Sequence, residues 1–180
     1  MFGFKNKDDD FVKWFRENFV NLDMLDWRKS TEITILEFLD KIKLHDSFIL
    51  KLGINCAWDN SVIIAVKWSF DEMLQDSESE KYLKQLGIDF KYKKINNKII
   101  YTLPILLVKF NNVKKIEMSG FEDIGGTRIM INSVSTIKIN TTEFDTKIED
   151  KYGAKTSLVH AEKVNVLCYD KKGNLIKLKL

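Results

Sequence analysis

The chain has 180 residues, 44% of them hydrophobic and 31% charged, and a net charge of +3. That balance excludes a disordered or low-complexity chain and suits one folded domain over residues 1–180. The longest apolar window, Ile99 to Val108, is about half a membrane span and contains Thr102 and Pro104, so no spanning helix is expected.

Met1-Phe2-Gly3-Phe4 runs at once into Lys5, Lys7 and Asp8-Asp9-Asp10, with no apolar stretch of secretory length, so a cytoplasmic protein is expected. The net charge hides a split. Residues 1–90 hold 12 basic against 17 acidic residues, and residues 91–180 hold 17 against 9. Only Arg16, Arg28 and Arg128 are arginines. Readers of phosphate and guanine lean on the guanidinium fork, so this lysine-heavy surface argues against nucleic acid as the main partner.

Asp8-Asp9-Asp10 opens a predicted helix, where carboxylates suit the positive end of the helix dipole. Phe11, Trp14, Phe15, Phe19 and Leu22 form its apolar stripe. Ser30-Thr31 offers a second cap, and Ile35, Leu36, Phe38, Leu39 and Ile42 predict a helix ending before His45. The alternation of Glu32-Ile33-Thr34-Ile35 leaves a strand start as the alternative.

From Ser47 to Phe70, apolar residues hold the even positions on both sides of Asp59-Asn60-Ser61. Period two puts them on one face of a hairpin, and a three-residue loop would set Trp58 opposite Val62, Cys56 opposite Ile64, Ile54 opposite Val66 and Leu52 opposite Trp68. The other face, with Lys51, Asn55, Lys67 and Ser69, is expected to be wet.

Asp71, Glu72, Asp76, Glu78 and Glu80 then form a run of acids with no base. A short helix carries Tyr82, Leu83 and Leu86 on its apolar side, and Gly87 stands at its left-handed C-cap position. Asn96-Asn97 predicts a two-residue hairpin turn, which pairs Tyr92 with Tyr101, Lys93 with Ile100 and Lys94 with Ile99. Ile105 to Val108 is apolar on both faces and reads as a central strand, and Val113 to Met118 reads as another. Gly125-Gly126 precedes an extended stretch from Arg128 to Ile139.

Thr141 or Thr142 then caps a predicted helix with Phe144, Ile148 and Tyr152 at four-residue spacing. A last hairpin turns through Lys171-Lys172-Gly173 and sets Cys168 opposite Ile176 and Val166 opposite Leu178. The fold expected is α+β: two N-terminal helices packed on an antiparallel, hairpin-rich β-sheet, with two further short helices.

Candidate chemistry is sparse. His45-Asp46-Ser47 carries the letters of a triad, but chain neighbours do not present side chains to one another. His160 has no metal-ligating residue at ligand spacing before Glu162. Gly125-Gly126-Thr127-Arg128 lacks the lysine and the strand–loop–helix setting of a phosphate loop. Lys91-Tyr92-Lys93-Lys94 sends its tyrosine and its flanking lysines to opposite faces, so no stacking platform forms there. Cys56 and Cys168 read as buried free thiols. No catalytic residue, cofactor or metal is expected.

The Phe11-x-x-Trp14-Phe15-x-x-Asn18 helix, the second amphipathic helix and the hairpin with Leu52-Gly53-Ile54 resemble small bacterial proteins, some of them suspected immunity proteins of polymorphic toxin systems. The resemblance covers at most residues 1–70. It implies a stoichiometric binder that blocks a toxin and performs no chemistry. The partner expected is therefore another protein, held by Asp71, Glu72, Asp76, Glu78 and Glu80, since charged rims set association rate and partner choice. The rival readings are a phage-derived or assembly protein using its sheet edges, a nucleic-acid binder, and an enzyme with dispersed carboxylates.

Overall fold

The computed structural model describes residues 15–55, 59–69, 77–88, 92–95, 98–101, 104–120, 129–170 and 172–180. It is mostly antiparallel sheet. In chain order the strands are β1 (Thr31–Thr34), β2 (Phe48–Asn55), β3 (Ser61–Lys67), β4 (Tyr92–Ile95), β5 (Lys98–Tyr101) and β6 (Ile105–Phe110). They continue with β7 (Lys115–Ser119), β8 (Ile129–Lys138), β9 (Glu143–Asp150), β10 (Lys155–Ala161), β11 (Lys163–Tyr169) and β12 (Leu175–Ile176). Helices α1 (Ile35–Lys41) and α2 (Ser77–Gln85) are short, and 3-10 turns occupy Leu22–Met24 and Trp27–Lys29.

The order β1-β11-β6-β3-β2-β8-β9-β10-β7 cannot lie flat. Six strand spacings separate β6 from β7, about 29 Å in a flat sheet. Residues 111–114 must bridge them, and four residues reach at most about 14 Å. Glu162 alone bridges β10 to β11, which are as far apart in the order. The sheet therefore curls until its two halves face each other. The Val113 N–H donates to Asn60 O at 2.6 Å, the Ala161 N–H donates to Asn111 O at 3.0 Å, and the Phe110 and His160 rings meet at 4.9 Å. The halves join through two residue pairs, Phe48 with Met130 and Ile49 with Ile129.

The concave face holds the main core. Val62, Ile64, Val66, Leu106, Val108 and Phe110 from one half pack in one cluster with Ile131, Phe144, Ile148 and Leu158 from the other. Ile35 and Phe38 of α1, and Leu83 with Leu86 at the end of α2, fill the space between them. On the convex side Ile63, Ala65, Ile105, Leu107 and Leu167 are covered by Phe15, Phe19 and Leu22. That double burial explains why β6 reads as a continuous apolar run, and it overturns the alternating, half-wet reading of β3.

The α+β expectation is overturned. Of the aromatic N-terminal stripe, only residues 15–18 are helical among the described residues, and Asn21 then caps a 3-10 turn. The segment is a strap on the convex face. Lys51 Nζ holds the Phe19 and Val20 carbonyls, and Trp27 Nε1 donates to Leu22 O at 3.0 Å. The second helix starts later than expected, because Thr31–Thr34 pairs with β11 as a strand. Thr34 and Glu37 then form the capping box.

The helix expected after Thr142 is strand β9. Its spacing of four is also an even number, and burial alternates, with Phe144, Thr146, Ile148 and Asp150 inward. A bulge between Ile131 and Ser133 moves β8 by one residue, which lets both Ile131 and Val134 meet the core.

The hairpin expected from Ser47 to Phe70 also pairs differently. Ile54 opposes Val62 and Leu52 opposes Ile64, four residues from the expected register, so parity holds over Lys51–Asn55 while each predicted pair is lost, and a register shift between Ile49 and Lys51 then sets Phe48 against Lys67 and Ile49 against Val66. Cys56 and Trp58 lie outside the described residues. Neither face of β3 is wet. Strands β4 and β5, and β11 and β12, show the expected pairs: Tyr92 with Tyr101, Lys93 with Ile100, Lys94 with Ile99, and Cys168 with Ile176; Asn96, Asn97 and Lys171 lie outside the described residues. Val166 pairs with Val108 and Thr31 rather than Leu178, because β1 takes over that edge of β11 beyond β12.

Candidate functional site

Of the acid-rich segment, Asp71, Glu72 and Asp76 lie outside the described residues. Glu78 and Glu80 stand in α2, whose far end is firmly held. Leu83, Leu86 and the following Ile88 are buried in the main core. The Tyr82 hydroxyl donates to Lys41 O and accepts the Lys43 N–H at 3.3 Å. Burial raises the pKa of this phenol, with the Lys43 hydrogen bond opposing, so it stays a protonated donor. Gly87, at φ +78°, ends the helix as expected, with the Ile88 N–H returning to Leu83 O at 3.0 Å. The segment after β12 adds the Lys179 N–H, 3.0 Å from Leu86 O.

A feature the sequence did not signal is a polar groove where the curled sheet brings its corners together. It has a volume of about 820 Å³ and runs past Asn60, Asn112, Lys114, Thr142 and Glu143. A second hollow of about 510 Å³ shares Asn112 and Thr142 and continues past Glu32, Lys163 and Asn165. Asn112 turns the chain at φ +50°, a conformation asparagine tolerates. Asn111 Nδ2 donates to Asn165 Oδ1 at 2.7 Å and to Lys163 O at 3.2 Å.

The lysines along this groove are paired with carboxylates, while Glu162 adds a further acid. Lys114 pairs with Glu143, Lys163 with Glu32 at 2.6 Å, and Lys115 with Glu117 at 2.7 Å. The Lys114 ammonium, then the Asn140 amide, hold the Glu143 carboxyl below the ordinary carboxylate range. The groove offers hydrogen bonds and mixed charge, which suits a polar segment of another chain better than an ion of one sign. Its residues come from β1, β7, β9, β11 and the turns between strands, so no local pattern in the sequence announced the groove as a whole.

The remaining sequence candidates resolve individually. His45 Nδ1 lies 2.8 Å from Asp46 Oδ2, but Ser47 is fully buried and its Oγ accepts the Ser69 N–H at 3.1 Å. The run holds β2 to the end of β3 and assembles no triad. His160 is fully buried. Its Nδ1 lies 2.6 Å from Ala161 O, an acceptor, and so carries the proton. Nε2 then accepts the Thr146 hydroxyl at 2.7 Å. Burial pushes the His160 pKa down, against the pull of Ala161 O and Asp145. A neutral ring with both nitrogens satisfied is a structural histidine.

Cys168 is buried, and its thiol is pushed up to about 12, first by burial and then by the charge of Asp170. That thiol is inert as a nucleophile at neutral pH. Gly125-Gly126-Thr127-Arg128 lies outside the described residues, as does Lys91, and Tyr92, Lys93 and Lys94 form β4. No helix of the described residues is long and apolar enough to cross a membrane, and among them no three His, Cys, Asp or Glu side chains are grouped to hold a metal ion. In comparisons with known protein families, with curated proteins and with solved structures, nothing matches the chain.

Proposed function

We propose that the protein is a protein-binding module acting stoichiometrically and without chemistry of its own, of the kind that neutralises a toxin. The acid-rich segment of Asp71, Glu72, Asp76, Glu78 and Glu80 is its contact with the partner. The observation that carries this reading is the mounting of α2. A helix anchored by Tyr82, Leu83 and Leu86 gives the acid-rich run a fixed base, and an interaction surface on a rigid element loses less entropy on binding. The polar groove adds a second surface of mixed charge, suited to the wet rim of a protein interface.

The test begins with the protein that co-purifies with the chain from its own cells. Its association rate is then followed at low and high salt for the wild type and for Asp76→Lys/Glu78→Lys/Glu80→Lys. The reversed protein should associate more slowly, and salt should narrow the difference. Equal rates at low salt would remove the segment from the interface. Retention of nucleic acid alone, with steep salt dependence, would favour the nucleic-acid reading instead.

A further inference from the structure

We infer that β7 is a dimerisation edge, on which a second copy of this chain adds its own β7 in antiparallel register through Ile116. Strand β7 ends the sheet order and, among the described residues, pairs on one side only, with β10. Hydrogen-bonding groups alternate from side to side along a strand, so half of those in β7 point away from β10. Lys115, Glu117, Met118 and Ser119 are exposed, and Met118 keeps 48% of its surface. Such an edge is a template for another strand.

The occupant follows from the order of charges. Lys115 and Glu117 share one face, 2.7 Å apart. An antiparallel two-fold through Ile116 sets Lys115 of each copy opposite Glu117 of the other, so two ion pairs become a square of alternating charge. Ile116 meets Ile116, and Lys114 meets Met118. Shifting the axis by one residue to Glu117 would place Glu117 against Glu117, which like-charge repulsion disfavours. The sequence Lys114-Lys115-Ile116-Glu117-Met118 thus selects one register with itself. Both charged side chains stand on the convex face, not in the plane of the edge, so they leave the backbone open. The contact is isologous and closes at two copies.

Sedimentation of the full chain over a wide concentration range tests this. Lys115→Glu sets Glu against Glu at both new pairs, and Glu117→Lys sets Lys against Lys. Each should weaken self-association about tenfold, from two cross-strand pairs made repulsive. Lys115→Glu/Glu117→Lys should restore it. The two single variants, mixed, should form a heterodimer that neither forms alone, since one then presents two acids and the other two bases. Circular dichroism confirms that each variant is folded. A wild-type chain that stays monomeric throughout, or a dimer that single reversal and charge swap leave unchanged, overturns the inference.

Discussion

Trp68 is the best single probe of the core. It is fully buried just past the end of β3, in the cluster that also holds Phe38, Leu83 and Leu106. Its indole N–H donates to Lys43 O at 2.7 Å, and its backbone N–H donates to Pro104 O at 3.1 Å. The side chain therefore joins the end of β3 to the chain that leaves α1. Trp68→Ala leaves a cavity costing about 3–5 kcal/mol and an unpaired carbonyl costing about 1 kcal/mol more. Trp68→Phe keeps most of the packing and loses the N–H, so it should cost about 1–2 kcal/mol. Domains of this kind hold roughly 5–15 kcal/mol in all, so the alanine variant should be close to unfolding at rest. Urea titration followed by circular dichroism reads both. With a slope of about 2 kcal/mol per molar, the phenylalanine midpoint should fall by roughly 0.5–1 M and the alanine midpoint by roughly 2–3 M. An alanine variant losing under about 2 kcal/mol would show that the side chain is not enclosed by this core. A phenylalanine variant as damaged as the alanine one would show that the hydrogen bond, not the packing, dominates.

Two further outcomes follow from the same geometry. His160 is held neutral below its ordinary pKa, so the unfolded chain binds a proton that the native chain refuses; stability should be fully present above about pH 6.5 and decline as pH falls below it. Urea midpoints at neutral and mildly acidic pH check this, and His160→Gln should flatten the slope, whereas an unchanged slope would assign the effect elsewhere. Gly87→Ala forces a Cβ to φ +78°, 3.3 Å from Lys177 O, and should cost about 1–2 kcal/mol by thermal melting; no loss would mean that the end of α2 relaxes without strain.

What was legible in the sequence separates by mechanism. The pairing of β4 with β5 and the Cys168–Ile176 pair were read to the residue because turn chemistry fixes register as well as direction. Asp170 shows how: its carboxylate accepts the Lys172 and Asn174 N–H groups at 2.8 and 2.9 Å, while Gly173 takes φ +82°. Alternation alone fixes only parity. In the first hairpin, parity held from Lys51 to Asn55, was lost at the register shift before Lys51, and the ladder ends at Asn55 and Ser61. Asp59, expected as a turn residue, is engaged elsewhere. Partial burial raises its pKa, but Lys109 and then Ser61 outweigh that and leave the carboxyl below its ordinary range. No local signal announces a partner fifty residues away.

The β9 error has a different cause, and it shows what the fold demands of this stretch. Spacings of four satisfy a helix and a strand equally, so Phe144, Ile148 and Tyr152 could not decide between them. The residues between them could. Glu143, Asp145, Lys147 and Glu149 put a charge at each odd position, which a helix would spread around its whole circumference and a strand confines to one face. The structure uses that confinement. The odd face carries the Lys155–Glu149 and Lys147–Asp145 pairs and the Ser157–Asp145 bond into solvent, while the even face closes the core over Phe144 and Ile148. Thr146 and Asp150 occupy two even positions without being apolar, and that is what hid the pattern. Thr146 is there to satisfy His160, and Asp150 is there to accept the Tyr152 and Ala154 N–H groups at 2.8 and 2.7 Å and so turn β9 into β10. Inward polar residues thus mark where the curled sheet must hold a buried ring and a tight turn. They obscure the alternation for the same reason that they are needed.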